Sequence, residues 1–379
     1  MRSRLEQVSV PGTEDARKRA REVVLAAFAE REPVPRPSHG RAVAVVAVLA
    51  ATALALAAAS PPGMALVDRV REVVGVERSA PALFSLPARG RLLVASDPGI
   101  WVVEENGQKR LLAGYHDASW SPFGRYVVAT RDNELAALEP DGDVRWTLSR
   151  PGVRDARWGG TAVDTRIAYL SRNELRVVAG DGTGDRAVGP ALAVAPAWRP
   201  GGGHVLTYVD RSNRVVTRDL TTGRILWRAR GKDAVAALEW SSDGRRLHVR
   251  RGHRIDVLTR DGRPWTGLRA ADSAVIGGAL RPGSHAWAAV LDEGGRSEVV
   301  VVGAPGGRVF AGRGHISGLA WSPDGRWLLI AWPTADQWVV VRADGGALRA
   351  VSAIAEQFRS RSAPRLAGWC CRTSPSRGG

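Results

Sequence analysis

Apolar stretches alternate with short turn sequences through most of this chain, and the turns resemble one another. In the clearest copy, the apolar run 316–320 leads into Trp321-Ser322-Pro323-Asp324-Gly325, and a second apolar run, 327–331, follows it. Proline fixes one backbone angle, and glycine accepts the positive φ that a tight reversal needs. The unit therefore predicts a strand, a hairpin turn and a second strand.

Partial copies of this turn recur at a regular spacing. Their anchor positions are 120, 158, 198, 240, 280 and 321, which lie 38, 40, 42, 40 and 41 residues apart. A period near 40 residues that contains several short strands is typical of propeller blades. The turn residues that recur, together with the anchor of a seventh and last copy, are Trp120, Pro122, Gly124, Trp158, Trp198, Pro200, Gly202, Trp240, Asp243, Gly244, Pro282, Gly283, Trp321, Pro323, Asp324, Gly325 and Trp369.

Each repeat continues with further strands after its turn. Second strands are predicted at 126–129, 167–170, 205–208, 247–249, 287–290 and 327–331. Third strands are predicted at 135–138, 175–178, 215–218, 255–258, 299–301 and 338–341, and Gly-containing hairpin turns lead from them to a fourth strand.

The two ends of the repeat region decide the number of blades. Strands are predicted at 92–94, 100–103 and 110–112 without an inner strand before them, and 365–369 is an inner strand with nothing after it. Joining the two ends removes open sheet edges. We therefore predict an all-β, seven-bladed β-propeller over residues 89–371, with six blades as the alternative. Residues 351–363 form an insertion with helical character, and 372–379 form a disordered tail.

The segment before the propeller predicts two helices with different roles. Residues 42–59 carry no charge and one polar side chain, Thr52, and a span needs about 20 such residues. Because Arg31, Arg36 and Arg41 precede this run, we expect one transmembrane helix over 42–60, with residues 1–41 cytoplasmic and the propeller extracytoplasmic. A cleaved signal peptide is the alternative. Residues 61–88 then hold a short juxtamembrane helix and a linker.

A helix is predicted over 13–31 within the cytoplasmic segment, with one apolar face at helical spacing. That face is either a docking surface for a cytoplasmic protein or a surface that lies on the membrane. Its residues are Ala20, Val23, Val24, Ala27 and Phe28.

Charge and cysteine content narrow the function classes. The net charge is +16, and of 54 basic residues only Lys18, Lys109 and Lys232 are lysines, a skew typical of a GC-rich genome. The arginines are spread over every repeat and interleaved with acids, so we expect no nucleic-acid binding, which requires clustering. The two cysteines, Cys370 and Cys371, are adjacent; a ring-forming pair, a link between chains and two free thiols all remain open.

The sequence offers little for catalysis. None of the seven histidines has the spacing of a metal site, and no nucleophile elbow or phosphate loop occurs. His116-Asp117 precedes an inner strand, where a hydrogen-bonded turn pair explains it better than catalysis does. We predict no catalytic, cofactor-binding or metal-binding residue.

The turns at 321, 240 and 120 resemble those of TolB-like and WD-repeat-like propellers. Asp141-Gly142 with Trp146, and Thr222-Gly223 with Trp227, resemble the blades of quinoprotein-type propellers. The order of a helix, one span and an extracytoplasmic domain is similar to that of transmembrane anti-sigma factors, although their zinc-binding pattern is absent.

Three hypotheses for function follow. The chain is a membrane-anchored propeller that binds or senses a protein; or it is a signalling regulator whose helix 13–31 holds a cytoplasmic partner; or it is a hydrolase or lactonase with a metal in the channel. We favour the first, because a rigid ring presents its loops at both ends and the sequence holds no recognisable chemistry.

Overall fold

The strands form seven antiparallel sheets that follow one another around a closed ring. The computed structural model describes residues 85–161, 163–265, 274–303 and 307–371. The predictions for the cytoplasmic helix and its docking face, the span 42–60, the segment 61–84 and the tail 372–379 lie outside these residues. Within them, no helix has both the length and the apolar character that a membrane crossing requires.

The chain begins with three strands and then builds its first blades in order. The first strands are β1 (Arg91–Ser96), β2 (Gly99–Val103) and β3 (Lys109–Ala113). Blade 1 consists of β4 (Asp117–Trp120), β5 (Val127–Arg131), β6 (Glu134–Leu138) and β7 (Val144–Ser149). Blade 2 consists of β8 (Val153–Gly160), β9 (Thr165–Ser171), β10 (Glu174–Ala179) and β11 (Arg186–Pro190). Blade 3 consists of β12 (Ala197–Trp198), β13 (Val205–Val209), β14 (Val215–Asp219) and β15 (Ile225–Ala229).

The remaining blades complete the ring. Blade 4 contains β16 (Val235–Trp240), β17 (Arg246–Arg251) and β18 (Arg254–Thr259) among the described residues. Blade 5 consists of β19 (Ala274–Leu280), β20 (Trp287–Asp292), β21 (Arg296–Val302) and β22 (Gly307–Arg313). Blade 6 consists of β23 (Gly318–Trp321), β24 (Trp327–Trp332), β25 (Gln337–Arg342) and β26 (Leu348–Ser352). Blade 7 joins β27 (Arg365–Cys370) to β1, β2 and β3.

The two chain ends share blade 7, as the sequence predicts. In the register between β27 and β1, Trp369 lies opposite Leu92 and Leu366 lies opposite Val94. The inner strand β27 also contacts the inner strands of blades 6 and 1 on either side. The fold is therefore an all-β, seven-bladed β-propeller, and the alternative count of six blades is wrong.

The predicted second and third strands are confirmed in all six complete repeats. Each observed strand extends past at least one end of its prediction, and β5 begins one residue later than predicted, at Val127. The hairpin glycines after the third strands all adopt positive φ, which explains why glycine recurs there: they are Gly142, Gly182, Gly223, Gly262, Gly307 and Gly345.

The core is divided among the interfaces between neighbouring blades. The buried apolar residues of the described chain form seven clusters, one for each pair of neighbours around the ring. The predicted insertion contributes to one of them through a single helical turn, α1 (Ile354–Gln357), followed by Phe358. Phe358 is fully buried, and its ring lies 5.9 Å from Trp101 of blade 7 and 5.0 Å from Trp338 of blade 6.

Candidate binding site between blades 1 and 2

The turns that follow the inner strands of blades 1, 4 and 6 share one backbone design. In blade 6, Gly325 N donates to Ser322 O at 2.8 Å, and Trp327 N donates to Ser322 Oγ at 2.9 Å. The same two bonds occur at Ser121 and at Ser241, and the turn glycines have φ between 65° and 68°. The recurring Ser and Gly are therefore explained by local hydrogen bonding.

Two of the three turns are completed by an aspartate. Asp324 Oδ1 accepts hydrogen bonds from Ser322 Oγ at 2.5 Å and from Arg326 N at 3.0 Å. Asp243 Oδ1 accepts the equivalent bonds from Ser241 Oγ at 2.5 Å and from Arg245 N at 3.0 Å. Partial burial opposes ionisation of Asp243, but these hydrogen bonds outweigh it and hold the pKa of this carboxyl below its usual value.

The turn of blade 1 has Phe123 in the position of that aspartate. A phenyl ring accepts neither bond, and 54% of the Phe123 side chain is exposed to solvent. Fully burying a Phe side chain is worth about 1.5–3 kcal/mol, so the partial exposure of Phe123 gives up part of that stabilisation. Phe123 therefore lacks the acceptor that closes the other two turns, and much of its ring is left in solvent. Of these three turns, only that of blade 1 lies beside a cleft.

A cleft of about 510 Å³ opens beside this turn, between blades 1 and 2. Its wall from blade 1 carries Phe123, Tyr126 and Trp146, and its wall from blade 2 carries Trp158. The rings of Tyr126 and Trp158 stack with centroids 5.9 Å apart and planes 16° from parallel. Four aromatic side chains from two blades thus converge on a volume within the range of ligand pockets.

The far end of the cleft is fixed by a contact between blades. Trp146 Nε1 donates a hydrogen bond to Gly180 O at 2.9 Å, and a side chain at Gly182 would meet the Trp146 ring at 2.9 Å. Trp227 of blade 3 makes the equivalent bond to Arg260 O of blade 4 at 2.8 Å. The two Gly-to-Trp spacings noted in the sequence therefore mark tryptophans that dock on the next blade.

The anchor tryptophans differ around the ring. The indole Nε1 groups of Trp198, Trp240 and Trp321 each donate a hydrogen bond to the preceding blade, at 2.8, 3.0 and 3.0 Å. The Nε1 groups of Trp120 and Trp158, which are buried, have no such partner among the described residues, nor does that of Trp369. These three anchors belong to blades 7, 1 and 2, which are neighbours in the ring. Trp287 Nε1 of blade 5, which is not an anchor, is also buried without a partner among the described residues.

The end of strand β27, which closes the ring, also packs against the turn of blade 1. Cys370 and Cys371 form a disulfide, and their Sγ atoms lie 4.0 Å from Ser121 O and 3.8 Å from Pro122 O. A side chain at Gly124 would meet the Cβ of Cys371 at 2.8 Å, so the turn rests directly on the disulfide. Of the open alternatives for these cysteines, the structure shows the ring-forming pair.

Arg91 of β1 adds a second support to the same turn. Its guanidinium donates to Gly124 O and lies 4.9 Å from the centroid of the Trp120 ring. Arg281 plays the same part in blade 6, where it donates to Gly325 O at 2.7 Å and lies 5.5 Å from the Trp321 ring. The turn that presents Phe123 is thus held as firmly from outside as the regular turn is.

The remaining candidates from the sequence do not assemble into a site. His116 Nε2 lies 3.8 Å from Asp132, whereas Asp117 pairs with Arg157 of blade 2 at 3.0 Å, so His116 and Asp117 serve different contacts. Across the ranges that the structure describes, no three His, Cys, Asp or Glu side chains lie close enough to hold a metal ion.

The described chain enters the propeller at the same end of the ring as the cleft. Leu86 N donates to Glu105 O at 2.8 Å, and Glu105 lies in the turn between β2 and β3. Because neighbouring strands of a blade run antiparallel, the turn after the inner strand and the turn after the third strand of blades 1 to 6 lie at one end, which we call the Trp-turn end. The turn between β2 and β3 is the third-strand turn of blade 7 and lies at the same end. The cleft is lined by such turns, so both features lie at the Trp-turn end.

Phe123, Tyr126, Trp146 and Trp158 as a group were not predicted from the sequence. Trp158 and the flanks of Phe123 were recognised only as parts of the repeat. The available signal was the break in that repeat, where Phe replaces Asp within an otherwise matching turn.

Comparisons with known proteins do not identify a family. No family model matches the chain, and no curated protein matches it. Among solved structures, it is similar to Kuenenia stuttgartiensis hydrazine synthase, with 14% identity over 61% of this chain and 77% of that chain and a TM-score of 0.47. It is also similar to Kluyveromyces lactis Hsv2p, with 12% identity over 68% of this chain and 92% of that chain and a TM-score of 0.49.

Proposed function

We propose that this protein is a membrane-anchored binding module whose propeller captures a protein partner outside the cytoplasm, without catalysis of its own. The observation that carries the proposal is Phe123, which is exposed beside an aromatic cleft at the position where the repeat otherwise has a turn-closing aspartate. Large aromatic side chains in a concave site are the usual anchors of protein recognition.

The membrane anchor in this proposal is the apolar run 42–60. Its hydropathy and the arginines that precede it support this assignment. The 24 residues from 61 to 84 would connect it to the Trp-turn end, and a fully extended chain of that length spans roughly 80 Å at most. Repeat turns such as Trp321 to Gly325 support a relation to TolB-like and WD-repeat-like propellers.

Crosslinked co-purification of the full-length protein from its native membrane tests the proposal. The test variant is Phe123→Asp, which restores the aspartate of the repeat and so is expected to keep or strengthen the turn. The matched control is Leu226→Asp on the outer strand β15, where another apolar side chain is 44% exposed away from the cleft. Both variants exchange one exposed apolar residue for the same charged residue.

We expect one partner to be captured by the wild type and by Leu226→Asp but lost with Phe123→Asp, and to bind again when purified and mixed with the wild type. Equal capture by all three proteins would rule out the cleft as the docking surface. Loss with Leu226→Asp as well would show that capture follows general surface hydrophobicity, and it would also overturn the proposal.

A further inference from the structure

The charges around the cleft are not balanced. Arg125 follows the blade 1 turn, is exposed, and forms no ion pair with any residue that the structure describes. Arg145, on the same wall, lies 5.9 Å from the centroid of the Tyr126 ring and pairs with Glu139 at 3.2 Å. The wall from blade 1 therefore presents two guanidinium groups beside Phe123, and that of Arg125 has no counter-charge among the described residues.

The acidic residue on the opposite wall is already engaged by its own turn. Asp181 Oδ1 accepts hydrogen bonds from Thr183 N at 3.0 Å and from Thr183 Oγ1 at 2.7 Å. These bonds hold the pKa of Asp181 below its usual value, so it stays negatively charged and repels a second acid from the blade 2 wall. A carboxylate that enters the cleft is thereby directed to the blade 1 wall.

We infer that the segment bound in this cleft is an extended peptide of the partner in which an apolar side chain lies next to a carboxylate. The apolar side chain covers Phe123, and the carboxylate pairs with Arg125. The inference rests on the proposed function, because it assigns the chemistry of the occupant of the same cleft. A guanidinium is suited to this role, since its planar fork matches a carboxylate.

Fluorescence polarisation with the full-length protein and three short labelled peptides tests this chemistry. The cores of the probes are Asp-Phe-Asp, Lys-Phe-Lys and Asp-Ala-Asp in a common Gly-Ser frame. The variant is Arg125→Glu, and its matched control is Arg245→Glu, which changes the exposed arginine at the same position of the blade 4 turn. A soluble anionic lipid, dihexanoyl phosphatidylglycerol, is the competing probe.

We expect the wild type to prefer Asp-Phe-Asp over Lys-Phe-Lys by about tenfold, since each exposed pair changes affinity up to about fivefold. Arg125→Glu should reverse or abolish this preference, Arg245→Glu should preserve it, and Asp-Ala-Asp should bind more weakly than Asp-Phe-Asp. The preference should shrink at high salt because exposed charges are screened.

Other outcomes separate this inference from the proposed function. If both Phe-containing peptides bind equally and Phe123→Asp abolishes the binding of both, the cleft is still supported as the docking surface. The inference that the bound peptide carries a carboxylate is then wrong. If no peptide binds at about 1 mM, or the lipid binds in their place with the same dependence on Arg125, a peptide occupant of this class is ruled out. The co-purification experiment then judges the docking surface by itself.

Discussion

The turns of blade 1 and blade 6 occupy the same place in the fold and share the same serine and glycine hydrogen bonds, yet only the turn of blade 6 is also closed by an aspartate. Asp324 accepts two hydrogen bonds within its turn, whereas Phe123 accepts none and is exposed. The anchor tryptophans differ in the same sense, because Trp321 Nε1 is bonded to blade 5 and Trp120 Nε1 has no partner among the described residues.

The comparison shows which residues of the turn are required for folding and which position can be used for binding. Both turns keep serine, glycine and an arginine from the preceding sheet, so those groups are sufficient to hold the reversal. The aspartate adds stability that the fold can do without at one position. Where the aspartate is not needed to close the turn, its position can hold a residue suited to binding. In blade 1 that residue is Phe123, which lies beside the cleft.

The largest expected difference between the two regions concerns the anchor tryptophans. Trp321→Phe should lower the free energy of unfolding by about 1–2 kcal/mol more than Trp120→Phe does, because only Trp321 loses a hydrogen bond and leaves a carbonyl unpaired. Urea unfolding of both variants measures the difference. Equal losses would show that the indole of Trp120 is also bonded in solution, and the contrast between the blades would disappear.

Next in size is the exchange of the turn residues themselves. Asp324→Ala should destabilise the protein by about 1 kcal/mol, whereas Phe123→Asp should stabilise it by up to about 1 kcal/mol, since each change removes or adds the same two acceptor contacts. Thermal unfolding of both variants provides the measurement. A destabilising Phe123→Asp would mean that the exposed ring contributes to folding, which would weaken its assignment to binding.

The blade architecture could be predicted from the sequence because it depends mainly on interactions between residues that are close in the sequence. Glycine at positive φ, alternating apolar strands and a fixed period each act within a few residues, and Trp369 could be paired with Leu92 because a ring has to close. The cleft could not be predicted in this way. Tyr126, Trp146 and Trp158 come from two blades, and only the packing between blades decides that their side chains converge.

A smaller effect concerns the disulfide under the blade 1 turn. A dithiol such as dithiothreitol converts Cys370 and Cys371 to two thiols, which occupy more space than a bonded pair, and Gly124 leaves no room there. The amides of residues 121 and 123–125 should therefore exchange hydrogen a few-fold faster on reduction, a change below about 1 kcal/mol. The amides of residues 322 and 324–326 provide the control, because the turn of blade 6 has no disulfide beneath it. Unchanged exchange in both turns would show that the disulfide does not support Phe123.

The smallest expected effect is a pH dependence that comes from the aspartate-closed turn of blade 4. Partial burial opposes ionisation of Asp243, but hydrogen bonds from Ser241 and Arg245 outweigh it and lower the pKa of this carboxyl in the folded protein. Its contribution to stability is therefore complete above the unfolded pKa, near 4, and is lost as the pH falls through the lower folded pKa. Asp243→Asn keeps an acceptor but cannot titrate, so unfolding measured between about pH 5 and pH 3 should depend less on pH in this variant. Phe123→Asp should make stability more dependent on pH, because it adds a titrating carboxylate to the blade 1 turn. If this variant leaves the pH dependence unaltered, the introduced carboxylate has not taken up the hydrogen bonds of the regular turn.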